Sequence, residues 1–290
     1  MIEWPDLDFD LKLRPYTLGG AQFWADVHWR SGWRIQRNAF NEHYRLLSPK
    51  NQRFEEGSYD SCFATLEAHE PPPNPKRLVL MLHGLLATWR FLQPFGKFFE
   101  ENGLECALIN YPSTRADLVT HGRRLAKLVS RLDGIERLDA VTHSMGGLVL
   151  CNAVSQSHWP RTLMPEKVVM VAPPIRGAAM ARLFAQMKLL HPIVGPPLTF
   201  LQDPKNAPDL PREIDLMVIA GARGKSAGFN PLLVGDDDGT VSVRETRPRR
   251  RHHFKTVRAQ HTWLRHSKKA QQYALEFLLD EDGASTEAVG

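Results

Sequence analysis

Leu138-Asp139-Ala140-Val141-Thr142-His143-Ser144-Met145-Gly146-Gly147-Leu148-Val149-Leu150 reads as a buried strand that runs into a serine, meets small residues at once and continues as an apolar helix within one turn. Such a tight strand-to-helix turn lifts the serine hydroxyl above the sheet. It also sets the hydroxyl beside a helix N-terminus, where positive partial charge faces a developing oxyanion. Gly146 permits close backbone approach. Serine is also a good helix N-cap, so the order of strand, turn and helix carries more weight than Ser-x-Gly alone.

Outward from this segment, short apolar runs alternate with amphipathic ones. Leu78-Val79-Leu80-Met81-Leu82, Cys106-Ala107-Leu108-Ile109, Val168-Val169-Met170-Val171 and Leu216-Met217-Val218-Ile219 each read as buried strands. Between them, Phe95, Phe98 and Phe99 share one helical stripe, and Leu125, Leu128, Val129 and Leu132 share another. Alternation of this kind builds a mostly parallel sheet with helices on both faces, an α/β architecture. Chemistry in such sheets gathers at the carboxyl ends of the strands. The run Pro71-Pro72-Pro73-Asn74-Pro75 cannot continue a helix or a central strand. It divides an N-terminal extension, residues 1–70, from a core at 76–280, with 281–290 expected to be a disordered tail.

In the extension, Tyr44 to Leu47 and Ser61 to Leu66 are predicted to add two antiparallel strands to one edge of the sheet. Trp4, Trp24, Trp29 and Trp33 are four of the seven tryptophans, and they predict an aromatic-rich helical flap packed on the core. A cover over a substrate mouth, or an interfacial membrane contact, is the sharper alternative.

Composition narrows the class. The chain has 290 residues, 42% hydrophobic and 24% charged, which excludes disordered, collagen-like and disulfide-scaffold proteins. Cys62, Cys106 and Cys151 cannot all pair, and none has zinc-site spacing. The longest apolar stretch, Leu78 to Leu86, is far shorter than the roughly 20 residues of a membrane-spanning helix. Acids at the N-terminus, in Met-Ile-Glu-Trp-Pro-Asp, argue against a secretory signal, so a cytoplasmic setting is expected. The formal charge of +5 includes one dense run, Arg247-Pro248-Arg249-Arg250-Arg251-His252-His253. It is predicted to loop into solvent with both histidines facing out. Peripheral contact with anionic lipid headgroups is the alternative. No nucleic-acid module accompanies it.

The segment around Ser144 resembles the α/β-hydrolase family, particularly its lipase and esterase branch, whose elbows commonly read Gly-His-Ser-Met-Gly-Gly; Thr142 stands here where the first glycine usually sits. Leu82-His83-Gly84-Leu85-Leu86 resembles the His-Gly oxyanion loop of that family, in which the following residue donates its backbone N–H. The resemblance therefore assigns the oxyanion hole to the amides of Leu85 and Met145. Two fixed donors are what a tetrahedral intermediate needs. His83 is expected to be a structural hydrogen-bonder rather than a proton shuttle, because buried polar groups are generally paired. Gly235-Asp236-Asp237-Asp238-Gly239-Thr240-Val241 resembles the family's Asp-Gly-x-Val acid loop and selects Asp238, with Asp236 and Asp237 as neighbours. The run lacks the alternating spacing of a calcium loop, so no metal and no cofactor is expected. His261, after a short last strand from Lys255, occupies the place of the family's catalytic histidine, and His266 is the fallback. Ala172-Pro173-Pro174-Ile175-Arg176-Gly177 resembles the stretch that follows the next strand in lipase-like hydrolases. The proline- and leucine-rich Leu189 to Leu201 could line an acyl pocket.

The resemblance implies a serine hydrolase acting on a small-molecule or lipid ester, with Ser144, Asp238 and His261 in the expected chain order. A thioesterase or acyltransferase with the same triad is one alternative. A non-catalytic binding protein of this fold is another.

Overall fold

The computed structural model describes residues 15–177 and 208–280, and the backbone of 288–289. Two sheets organise them. The first is antiparallel in the order β1, β2, β3, β4, formed by Trp24–Arg30, Trp33–Asn38, Tyr44–Leu47 and Arg53–Gly57. Helix α1, Tyr59–Ala68, follows it, with the Ser58 side chain accepting a hydrogen bond from the Ser61 N–H.

The second sheet runs β11-β10-β9-β8-β7-β5-β6. Its strands are β5 (Arg77–Leu82), β6 (Cys106–Ile109), β7 (Arg137–His143), β8 (Lys167–Val171), β9 (Asp215–Ala222), β10 (His252–Arg258) and β11 (Ala288–Val289). All pairings are parallel except that of β11 at the edge. Leu82 pairs with Thr142, and His143 with Val171, so β5, β7 and β8 end level with one another.

Apolar side chains cover both faces. One cluster packs α3 (Leu118–Val129) and α4 (Met145–Val154) on the sheet; the other packs α2 (Gln93–Glu100) and α5 (Lys268–Leu279) on its opposite face. Each fully buried leucine or valine there contributes about 1.5–3 kcal/mol. Every residue of α4 is buried, so the helix carrying the elbow is walled in on all sides. Gly122 allows this closeness: a Cβ there would lie 2.7 Å from the Asn152 Cβ on α4.

The extension differs from its sequence reading. Tyr44–Leu47 is a strand, but it pairs with β2 and β4 in a separate sheet. Ser61 to Leu66 lies inside α1, because buried Cys62 and Leu66 are four residues apart and face the small core under β2 and β3. Trp24, Trp29 and Trp33 sit on strands rather than on a helical flap, and Trp29 reaches the main core. Trp4 and the Leu189 to Leu201 stretch lie outside the described residues.

His252 and His253 are also corrected. They are buried, 4% and 8% exposed, because β10 starts at His252, three residues before the expected strand, and pairs His253 with Met217. In the basic run only part of the charge faces water. Arg250 donates to the carbonyls of Leu210 (3.0 Å) and Arg212 (3.2 Å), and the Arg247 guanidinium lies 3.6 Å from the Phe254 ring centroid. The three cysteines are free and buried. Among the described residues no helix is long and apolar enough to cross a membrane.

Candidate active site

Ser144 joins β7 to α4 with φ 53° and ψ −125°, a backbone region that costs a non-glycine residue about 1–3 kcal/mol. The surroundings hold it there. Its N–H donates to the Val171 carbonyl at 2.9 Å. A Cβ on Gly146 would fall 2.5 Å from the Leu82 carbonyl oxygen, and one on Gly84 would fall 3.0 Å from the Ser144 Cβ. The elbow therefore packs backbone against backbone on the end of β5, where any larger residue would push the two apart.

The candidate acid and base, Asp238 and His261, follow β9 and β10. His261 Nδ1 donates to Asp238 Oδ2 at 2.7 Å, and the His261 backbone N–H donates to the Asp238 carbonyl at 2.8 Å. The other carboxylate oxygen, Oδ1, accepts from the amides of Thr240 (2.9 Å) and Val241 (2.7 Å). Gly221, near the end of β9, makes room for this pair, since a Cβ there would lie 2.6 Å from the Asp238 Cβ and 2.8 Å from the Ala259 carbonyl. The neighbouring acids do other work. Asp236 accepts from the amides of Arg223 (2.7 Å) and Gly224 (2.9 Å), and Asp237 from those of Phe229 (3.1 Å), Asn230 (2.9 Å) and Gly239 (2.7 Å). His266 is exposed and accepts from Arg265 Nε at 3.1 Å. Among the described residues no group of three His, Cys, Asp or Glu is arranged to hold a metal.

His143, which precedes Ser144 in the chain, packs against His261. The His143 ring lies 4.7 Å from that of His261, and its Nε2 donates to the His261 carbonyl at 3.1 Å. Burial, then the adjacent His261, hold His143 well below its ordinary pKa, so it serves as a neutral donor. Among the described residues no direct hydrogen bond joins the Ser144 hydroxyl to the His261 ring; such bonds are often long in unliganded sites.

The loop after β5 supplies the remaining groups. Met145 opens α4, so its amide has no intrahelical acceptor. Leu85 is half-buried, and among the described residues its amide donates to nothing. The next residue, Leu86, sits at φ 58° with its amide donating to Ser113 Oγ at 3.0 Å. Gln22, from the extension, braces the same loop. Its Nε2 donates to the Ala87 carbonyl at 2.6 Å, while its Oε1 accepts from the Ser113 hydroxyl and the Thr114 amide, each at 3.2 Å. His83 is fully buried beneath the loop, with Nδ1 donating to the Gly84 carbonyl at 2.9 Å and the ring stacked 4.2 Å from Tyr111. Burial lowers its pKa to about 4, which keeps it neutral.

Sequence reasoning missed His143, Gln22, Ser113 and Gly221. Position beside the nucleophile could have flagged His143. Nothing local to Gln22 announces a contact with residues some ninety positions away.

No protein-family model matches the chain, and no curated protein sequence does either. Solved structures do. The mature Bacillus licheniformis lipase BlEst2 is 20% identical over 72% of this chain and 94% of its own, with a TM-score of 0.53. The product of gene lin2722 from Listeria innocua is 16% identical over 71% and 95%, at 0.48. Est1E from Butyrivibrio proteoclasticus, solved with ferulic acid bound, is 14% identical over 71% and 90%, at 0.47. The strand order, the helices on both faces and the likeness to BlEst2 together define an α/β-hydrolase fold.

Proposed function

We propose that the chain is a serine hydrolase that cleaves carboxylic esters through an acyl-enzyme. The observation that carries this reading is the elbow at Ser144, φ 53°, at the same sheet edge as the 2.7 Å Asp238–His261 hydrogen bond. Asp238 fixes the tautomer in which His261 Nδ1 carries the proton, leaving Nε2 free to act as base. His261 takes the Ser144 proton as the hydroxyl oxygen attacks the ester carbonyl. The amides of Leu85 and Met145 stabilise the resulting oxyanion. His261 then protonates the leaving alcohol, and water, activated the same way, releases the acid and restores Ser144.

BlEst2, which shares the fold, is itself a lipase, an enzyme of the class proposed here. The substrate is a small-molecule or lipid ester. The test is hydrolysis of p-nitrophenyl esters from acetate to palmitate, with Ser144→Ala alongside. We expect turnover that ranks the esters by acyl length and falls by about 10⁵-fold or more in the variant. Turnover surviving in Ser144→Ala, or fluorophosphonate labelling of that variant, would overturn the assignment.

A further inference from the structure

We propose that the groove between the N-terminal sheet and helix α3, away from the residues assigned to catalysis, binds a phosphate-bearing polyanion. The groove has a volume of about 380 Å³, and Arg37, Arg123, Arg124, Lys127 and Arg131 line it against the single carboxylate of Glu42. Positions 123, 124, 127 and 131 fall on one face of a helix and the turn beyond it. Arg37 approaches from β2 on the opposite wall. A solvated basic face would spread its cations outward, whereas these converge from two elements across one cavity.

Their charge is largely unanswered. Glu42 is already paired with Arg37. Among the described residues Arg123, Arg124 and Lys127 have no carboxylate within ion-pair distance. The nearest acid along the helix, Asp117, is committed to its N-terminal cap, accepting from the Thr120 amide at 2.7 Å. Arg124 is the sharpest case. It is half-buried, and burial, followed by the charge of Arg37, pushes its guanidinium below its ordinary pKa. Arg131 is held in place by donating to the Val27 carbonyl at 2.9 Å and by lying 4.6 Å from the Tyr59 ring centroid.

Guanidinium forks match phosphate oxygens in pairs, and Thr120 and Tyr44 also line the groove. Five cations against one carboxylate favour an anion of several charges over a monoanion. The same chemistry is offered by a soluble polyphosphate or by a phosphomonoester headgroup on a membrane.

Calorimetric titration of the full chain with pyrophosphate and with inorganic phosphate tests the site. Co-sedimentation with vesicles of phosphatidylcholine, with and without phosphatidic acid, separates the two sources. We expect saturable binding of pyrophosphate that exceeds that of phosphate, weakens with added salt, and falls about tenfold in Arg124→Gln or Lys127→Gln. Binding confined to phosphatidic acid vesicles, with the same sensitivity to substitution, would place the ligand on a lipid. Arg123 and Lys127 are exposed, so Arg123→Gln and Lys127→Gln keep the test sound if Arg124→Gln fails to fold. Absence of binding to every probe, or binding that the exposed variants leave unchanged, overturns the proposal.

Discussion

Asp26 and Asp238 each bury a carboxylate at the carboxyl end of the central sheet, 4% and 1% exposed, yet they are answered differently. Asp238 spends one oxygen on two backbone amides and the other on a histidine ring. Asp26 spends one oxygen on the Asn110 amide (2.6 Å), just past β6, and the other on the Gln36 side chain (2.7 Å), which in turn accepts from Arg45 at 2.8 Å. Burial dominates there, and the Asp26 pKa is raised despite Arg34 and Arg45. One carboxylate orients a group that can exchange a proton. The other joins two sheets, with every partner fixed. Burial alone therefore does not separate the carboxylate proposed to orient a base from the one that joins two sheets; the identity of the last partner does.

Asparagine at 238 separates these roles most strongly. Its oxygen can still accept from Thr240 and Val241, but its NH2 would face His261 Nδ1 and favour the wrong tautomer, so kcat/KM for an ester should fall about 10⁴-fold with little change in melting temperature. At Asp26 the expected loss is of stability. Asp26→Ala strands the Asn110 backbone N–H and leaves Gln36 Nε2 with the Gly19 carbonyl as its remaining acceptor; it should cost about 2–4 kcal/mol, read from the urea midpoint. An alanine variant as stable as the parent would deny Asp26 its joining role.

The pH dependence sharpens the contrast. A carboxylate whose folded pKa is raised contributes stability below its ordinary value of 3.8, and loses it as pH rises through the folded value. The stability of the parent relative to Asp26→Asn should therefore decline from about pH 3.8 upward and be flat below it. The smallest effect is expected where a buried polar group has no answer. Thr142 Oγ1 has no hydrogen-bond partner among the described residues, so Thr142→Val should be neutral or stabilising by up to about 1 kcal/mol in thermal unfolding.

The same comparison explains what was readable beforehand. Strands β5, β6, β8 and β9 are near-continuous apolar runs because both faces are covered, and the elbow announces itself by local order alone. The extension was misread for the opposite reason. In β1, Trp29 joins the main core while Val27 packs toward the small core under α1, and a bulge near Asp26 and His28 shifts the register. The result is neither a clean alternation nor a helical stripe. His252 and His253 read as solvent-facing because a run of arginines stands beside them, whereas the strand that pairs with His253, β9, lies more than thirty residues away in sequence. In the acid loop, only folding shows that Asp236 accepts from the amides of Arg223 and Gly224, that Asp237 Oδ1 accepts from those of Phe229, Asn230 and Gly239, and that Asp238 is the one of the three bonded to His261.

Gln22, which precedes the first strand, ties the loop after β5 to Ser113 in the loop after β6. The proposed nucleophile, acid and base all lie downstream of the proline break, but the brace for one proposed oxyanion donor does not. A chain whose N-terminal sheet has come undone would keep the proposed triad beneath a slack loop. Loss of activity should then precede unfolding of the core, so that turnover reports the integrity of a region containing no member of the triad.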